Sequence, residues 1–337
     1  MNNTIQQYIK SNLDKLNKVE EIPLLEYASW PKSHHQFDFQ SLNALKAALA
    51  AQRPLLLRGE PGTGKSQLAR AAAVALNRLF VYEVVNAHTE SQDLLWRFDA
   101  VGRLAEAQTL QGHNCTPEQL KKTLDTKRYI SPGPLWWSLS YESAEKVYRD
   151  SQYQLIQPEK PANWQAGQGS VLLIDEIDKA NAELPNGLLE IMGNNAVSIP
   201  WLKTTIGGNN TVPPLVIITT NEERELPAAF VRRCLVLQVE LPRAEGALID
   251  CLVERAELHF SGKCSKNVRQ TAAEQLIKDR QRAKEIGVTM PGQAEYLDMI
   301  RALSVLGTSE TEQLDMLQAI HQFALCKYPT MLDYDDE

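Results

Sequence analysis

The 337-residue sequence has no C-x-x-C pair. Its five cysteines, Cys115, Cys234, Cys251, Cys264 and Cys326, stand singly and are odd in number. That pattern excludes a zinc ribbon and a disulfide framework, and points to reduced, intracellular thiols. No apolar run approaches the roughly 18 residues that a membrane span needs. The opening stretch MNNTIQQYIKSNLDKLNKVE has no apolar signal core, so a cytoplasmic location is expected. Basic residues are outnumbered, 35 Lys and Arg against 42 Asp and Glu, for a net charge of −7. A chain with that balance lacks the basic face that coats nucleic acid. The guanine-reading N-K-x-D pattern, internal repeats and low-complexity tracts are also missing.

What is present is the composition of a globular protein, 43% hydrophobic and 23% charged, long enough for a large domain and a smaller one. Ile5, Ile9, Leu13 and Leu16 fall on one helical face, so the first segment reads as a docking helix. A polar connector follows, then the helical stretch QSLNALKAALAAQ, the strand PLLLRG, a glycine-rich loop, the Ala-rich helix GKSQLARAAAVALN and the strand LFVYEVV. This βαβ rhythm predicts a parallel sheet with helices on its faces. TPEQLKKTLDT carries a helix start, with Thr116 as cap and Glu118 in the first turn. The runs VLLID, LVIITT and CLVLQVEL are almost continuously aliphatic, as in strands buried on both faces. Beyond Pro242 helical spacing takes over and predicts a smaller all-helical domain of about four helices. Its acidic end, LDYDDE, reads as a solvated tail. The expected boundaries are 1–36 for the N-terminal helix and connector, 37–241 for the α/β domain and 242–337 for the helical domain.

Three strand ends carry chemistry. GEPGTGKS spans Gly59, Glu60, Pro61, Gly62, Thr63, Gly64, Lys65 and Ser66, with Gln67 next. It follows a strand and opens a helix, the context in which G-x-x-x-x-G-K-[ST] cradles phosphates. Glycines permit positive φ, so backbone N–H groups can curl around phosphate oxygens at a helix N-terminus. Lys65 is expected to reach the β- and γ-phosphates, and the Ser66 hydroxyl to ligate Mg²⁺. VLLIDEID then ends a buried strand in two carboxylates, which repel each other unless a cation is near. Asp175 is assigned to Mg²⁺ and Glu176 to polarising the attacking water. Asp178 and Lys179 read as a solvated or helix-start pair. Asn221 ends LVIITTN, where it either contacts the attacking water or γ-phosphate, or closes the strand with an Asx-turn. Finally, Arg232 and Arg233 sit side by side in LPAAFVRRC with no acidic neighbour directly beside them.

The ordered set GEPGTGKS, LLIDEID, IITTN and AFVRRC resembles the AAA+ ATPase superfamily. DLLWRFDAVGRL, SPGPLWW, LIDEIDKANAELPNGLLEIM and NEERELPAAFVRRC resemble its MoxR-type members, in the helix-2-insert branch. The resemblance implies a P-loop α/β fold: a parallel five-stranded sheet of order 5-1-4-3-2, plus a C-terminal all-helical lid. It implies a homo-oligomeric ring, usually hexameric, with ATP and Mg²⁺ between subunits. It makes Asn221 the γ-phosphate sensor of the fourth strand. It makes Arg233 the finger that reaches a neighbour's nucleotide, with Arg232 as backup or interface contact. WRFDAVGRL falls where this branch inserts a β-hairpin. Trp96, Trp136 and Trp137 would grip a client there or, the reading favoured for tryptophans in turn-rich segments, pack under a loop. A lid arginine that senses γ-phosphate in many relatives has no match at the start of MPGQAEYLDMIRAL, which offers Gln293 and Ala294 before Arg301. That sensor is missing, or Arg301 or a neighbour's residue substitutes.

The resulting expectation is a chaperone-like ATP hydrolase that remodels a partner protein, the resemblance adding an adaptor with a von Willebrand factor A domain. A nucleotide-gated switch or scaffold subunit, for instance in a defence complex, is the alternative. A nucleic-acid motor is disfavoured by the acidic balance.

Overall fold

The computed structural model describes residues 3–111, 116–194, 196–208 and 212–325. Cys115, Cys326 and the acidic tail lie outside the described residues. The chain folds as two compact units, one of residues 1–24, 35–58 and 66–237, the other of residues 25–34, 59–65 and 238–337.

In the first unit five parallel strands, β1 (Leu55–Arg58), β2 (Leu79–Val84), β3 (Ser170–Asp175), β4 (Leu215–Thr220) and β5 (Leu235–Gln238), form one sheet. Their order is β5-β1-β4-β3-β2, as the resemblance implies. Every residue of β4, and all of β3 but Asp175, is buried, which requires cover on both faces and explains the unbroken aliphatic runs. β5 behaves differently. Its burial alternates between half-buried and exposed along LVLQ, because an edge strand is paired on one side only. The aliphatic run at 234–241 had suggested burial on both faces.

Helices α1 (Asn3–Leu16), α2 (Phe39–Ala51) and α3 (Lys65–Leu76) precede β2. Local chemistry starts and stops α2. The Asp38 carboxylate accepts from the Ser41 N–H at 2.7 Å, and Gln52 ends it in the left-handed region at φ 53°. The first segment does dock: Leu16 is fully buried, Lys15 Nζ donates to the Leu76 carbonyl at 3.1 Å, and the Tyr8 hydroxyl donates to the Gln168 carbonyl.

Between β2 and β3 lie α4 (Ala100–Gln111), α5 (Pro117–Thr123), α6 (Pro134–Leu139) and α7 (Tyr141–Asp150). Thr116 caps α5 in a capping box with Gln119, as its sequence indicates. The hairpin expected over WRFDAVGRL is a different object. Trp96–Phe98 pairs antiparallel with Ile130–Pro132, and AVGRLAEAQTLQ is helical. Trp96, Trp136 and Trp137 are 7%, 0% and 2% exposed. They pack in the main core with Leu135 and Tyr141, so the client-gripping reading of these side chains is withdrawn. Helix α8 (Glu183–Asn194), the short α9 (Ala228–Val231) and an antiparallel hairpin of Ala196–Ile199 with Thr204–Gly207 also belong to this unit.

The second unit carries four described helices, α10 (Glu245–Phe260), α11 (Lys266–Glu285), α12 (Gln293–Leu306) and α13 (Glu310–Ala324). Leu252, Ala272, Leu276, Tyr296, Ile300 and Leu303 fill their core, each fully buried. Along α11 and α12 those positions recur three to four apart, which is the spacing that gives an apolar stripe. Among the described residues no helix is long and apolar enough to cross a membrane.

Candidate active site

The glycine-rich loop, residues 59–65, belongs to the second unit. Gly59, Gly62 and Gly64 have φ of 143°, 75° and 93°, all in territory that side chains avoid. Gly59 also lies against the backbone of Val239: a Cβ there would stand 2.2 Å from the Val239 carbonyl oxygen. Gly59→Ala is therefore expected to lower unfolding free energy by at least ~2 kcal/mol, read from urea denaturation. An unchanged midpoint would show that the loop relaxes at no cost.

Lys65 is 6% exposed. Its ammonium donates to the carbonyls of Gly59 at 2.7 Å and Glu60 at 2.8 Å, curling the loop around it. Thr63 Oγ1 donates to the Glu60 carbonyl at 2.9 Å. The Glu60 carboxylate accepts from Arg280 Nη2 of α11 at 3.1 Å, and Arg280 Nη1 donates to the Pro291 carbonyl at 2.6 Å. Pro61 and Gly62 are exposed. A Cβ on Gly62 would come within 2.9 Å of Ala294 Cβ, so the first turn of α12 lies against the loop. Arg301, the sequence-level substitute for a lid sensor, instead pairs with Asp298 at 2.6 Å and stands over the Phe260 ring. Arg280 is the lid arginine that reaches the loop.

In the first unit the ends of β3 and β4 make a polar cluster. Ser66, at the start of α3, donates to both Asp175 carboxylate oxygens at 2.7 and 2.9 Å. Thr219 Oγ1 donates to Asp175 Oδ1 at 2.6 Å and accepts the Glu176 N–H at 2.8 Å. The parallel register makes this possible: Ile218 lies beside Ile174, so Thr219 follows beside Asp175. Gln67 is half-buried on the first turn of α3.

Glu176 leaves the strand in the left-handed region, φ 59° and ψ 49°, rare for a residue with a side chain and concentrated at functional sites. Its carboxylate accepts from Lys179 Nζ at 2.5 Å and from Asn221 Nδ2 at 3.3 Å. The hydrogen bond to Glu176 is the main cause that raises the Lys179 pKa. Asn221 therefore turns its side chain to Glu176.

Asp178 corrects the sequence reading. It is 2% exposed, and its carboxylate accepts the backbone N–H groups of Asn221 at 3.4 Å and Glu223 at 3.0 Å. It is a buried brace for the segment after β4, not a solvated charge. Lys179 likewise has a specific partner, Glu176. Their spacing, three residues apart across a single turn, was the available signal.

Ser66 and Thr219 hydroxyls around the Asp175 carboxylate are hard oxygen donors, the set that Mg²⁺ takes. The residues present fit that ion, and the positive-φ glycines fit close approach of phosphate oxygens.

Arg232 and Arg233 follow α9, both exposed. Among the described residues neither side chain has a hydrogen bond, ion pair or ring contact. A helix of four residues has little dipole to hold them, which weakens the reading of two cations placed for a helix C-terminus. Cys234, next in the chain, is 6% exposed, and burial pushes its thiol up to about 11 despite nearby Arg53.

Residues 54–234 match the family profile described as AAA domain, dynein-related subfamily. A solved structure of a candidate ATPase from Cytophaga hutchinsonii is 14% identical, covering 96% of this chain and 87% of its own, with a TM-score of 0.40. A lysine-to-arginine mutant of RuvB from Thermotoga maritima is also 14% identical, covering 84% of this chain and 68% of its own, with a TM-score of 0.45. No curated protein matches the chain.

Proposed function

We propose, on the premise that this chain belongs to the AAA domain family, dynein-related subfamily, that it hydrolyses ATP between the subunits of a homo-oligomeric ring, MoxR-like and hexameric, to remodel a partner protein. The observation that carries the shared-site reading is the Arg232–Arg233 pair, two exposed guanidinium groups with no partner among the described residues. A cation placed at the end of an ordered segment and left unpaired suits an anion supplied by another molecule.

In this reading the N–H groups of residues 59–65 and the Lys65 ammonium hold the ATP phosphates. Ser66 and Asp175 would hold Mg²⁺, which would supply positive charge to offset that of the phosphates. Glu176 takes the proton of the attacking water, and Asn221 orients that water or touches the γ-phosphate. Arg233 answers the charge that develops on the neighbour's γ-phosphate, and Arg232 supports the contact. The client, and an adaptor with a von Willebrand factor A domain, belong to this reading as partner classes.

The test is mass photometry of the full chain with and without ATP, alongside turnover. Assembly to a ring on ATP addition, with turnover that rises with assembly, is expected. A chain that stays monomeric while turning ATP over would sink the ring. The stretch MPGQAEYLDMIRAL, with no arginine before Arg301, favours a second reading, a nucleotide-gated switch or scaffold with slow turnover. Very slow turnover that no client alters would select it.

A further inference from the structure

Three consecutive backbone carbonyls, those of Arg232, Arg233 and Cys234, converge on one guanidinium group, that of Arg53. Arg53 Nε donates to the Arg233 carbonyl at 3.0 Å, and Nη2 donates to the Arg232 carbonyl and, at 3.5 Å, to that of Cys234. The partners lie about 180 residues away in sequence. No local rule pairs them.

The two sides of this contact differ in rigidity. Arg53 stands between the left-handed cap of α2 and the first residue of β1. Its N–H donates to the Ala48 carbonyl at 3.2 Å, and the next residue, Pro54, accepts the Leu235 N–H at 2.8 Å. Proline fixes its own φ and restricts the residue before it. The guanidinium therefore extends from a well-determined point beside the sheet. Helix α9 is only four residues long, and the last carbonyls of a helix have no partner within it. Within α9 the carbonyls of Ala228, Phe230 and Val231 accept the N–H groups of Arg232, Arg233 and Cys234, and Arg53 supplies donors to the three carbonyls that follow. Phe230, fully buried, anchors the other side of the turn. The segment is thus held at its backbone, and among the described residues the tips of Arg232 and Arg233 have no partner.

We infer that Arg53 is a positioning residue for the Arg232–Arg233 pair, aiming the two guanidinium groups outward at a fixed angle toward the nucleotide of a neighbouring subunit. This rests on the proposal that the pair acts in trans. Arginine suits the task because its donors lie in a rigid planar fork that serves several acceptors at once, whereas lysine is a point charge on a flexible stem. A small loss of aim matters, because misplacing a catalytic group by about 1 Å can cost roughly 10²-fold in rate.

The experiment uses the full chain. Arg53→Ala is expected to lower kcat by about 10²-fold with the KM for ATP within about twofold, since its own phosphate loop is intact. Arg53→Lys is expected to fall between, and it serves if the alanine variant does not fold. Subunit mixing separates aim from mere stability. In confirmed mixed assemblies, Arg53-substituted subunits are expected to regain activity with Lys65→Ala subunits, which present an intact pair but have no working site. They are expected to regain none with Arg233→Ala subunits, which lack the same function. Wild-type kcat in both Arg53 variants would overturn the inference, as would recovery with Arg233→Ala. Failure of Arg53-substituted subunits to recover with Lys65→Ala, where Arg233→Ala subunits do recover, would overturn it while leaving the shared site standing. Failure of the Arg233→Ala and Lys65→Ala mixture would overturn the shared site and the inference with it.

Discussion

Arg233→Ala is expected to reduce ATP turnover by about 10³–10⁵-fold, the loss seen when an arginine that stabilises phosphoryl-transfer charge is removed. Nucleotide affinity should stay near wild type, because the phosphate loop is untouched. The size of the effect follows from where the charge sits. An exposed surface cation contributes almost nothing to folding, so its removal leaves the molecule intact. The same cation facing a developing phosphate charge in a water-poor interface acts in the transition state itself. Arg233 and Arg232 are both exposed and unpartnered among the described residues. Resemblance to the family places the finger directly before Cys234. Arg232→Ala is accordingly expected to have the smaller effect. Turnover measured beside equilibrium binding of a fluorescent ATP analogue separates the outcomes. Near-normal turnover in Arg233→Ala would return that residue to a surface role, and a reversed ranking would make Arg232 the finger.

The parts of this site that could be read from the sequence are those fixed by local rules. The loop at 59–66 combines glycines that need positive φ with a strand before and a helix after, so motif and context coincide. The runs at β3 and β4 are aliphatic because those strands are buried, β3 as far as Asp175. Contacts made across long stretches of chain were not legible. Arg53 and Arg233, like Arg280 and Glu60, meet only because the fold returns the chain to itself, and nothing in composition or period signals such a meeting. The family motif sets a lid arginine at the start of α12, whereas Arg280 projects from α11. The bracing role of Asp178 is hidden for a related reason. An acidic residue beside a lysine looks solvated, yet the register of β3 against β4 turns it into a brace for the Asn221 backbone. The alternation in β5 shows the opposite limit. A hydrophobic run does not reveal whether its strand ends up central or at an edge.

Glu176→Gln is expected to keep ATP binding and lower hydrolysis by about 10²–10⁴-fold, the range a positioned general base contributes. The substitution preserves size and leaves an oxygen for Asn221 to donate to, but removes the charge and the basicity. The ion pair with Lys179 raises the question of whether Glu176 is available as a base at all. Magnitude decides it. The two side chains are 29% and 42% exposed, and exposed pairs of this kind contribute roughly 0–1 kcal/mol after solvent screening. Releasing Lys179 thus costs a factor of about five at most, small beside the loss expected from removing the carboxylate. The geometry around Glu176 is the more persistent constraint. Its left-handed backbone, its N–H on Thr219 and its carboxylate on Asn221 tie it to the end of β4. Without hydrolysis, ATP-bound assemblies should accumulate, visible as a larger mass that persists after free nucleotide is removed. Turnover at the wild-type rate in Glu176→Gln would mean that another group takes the proton.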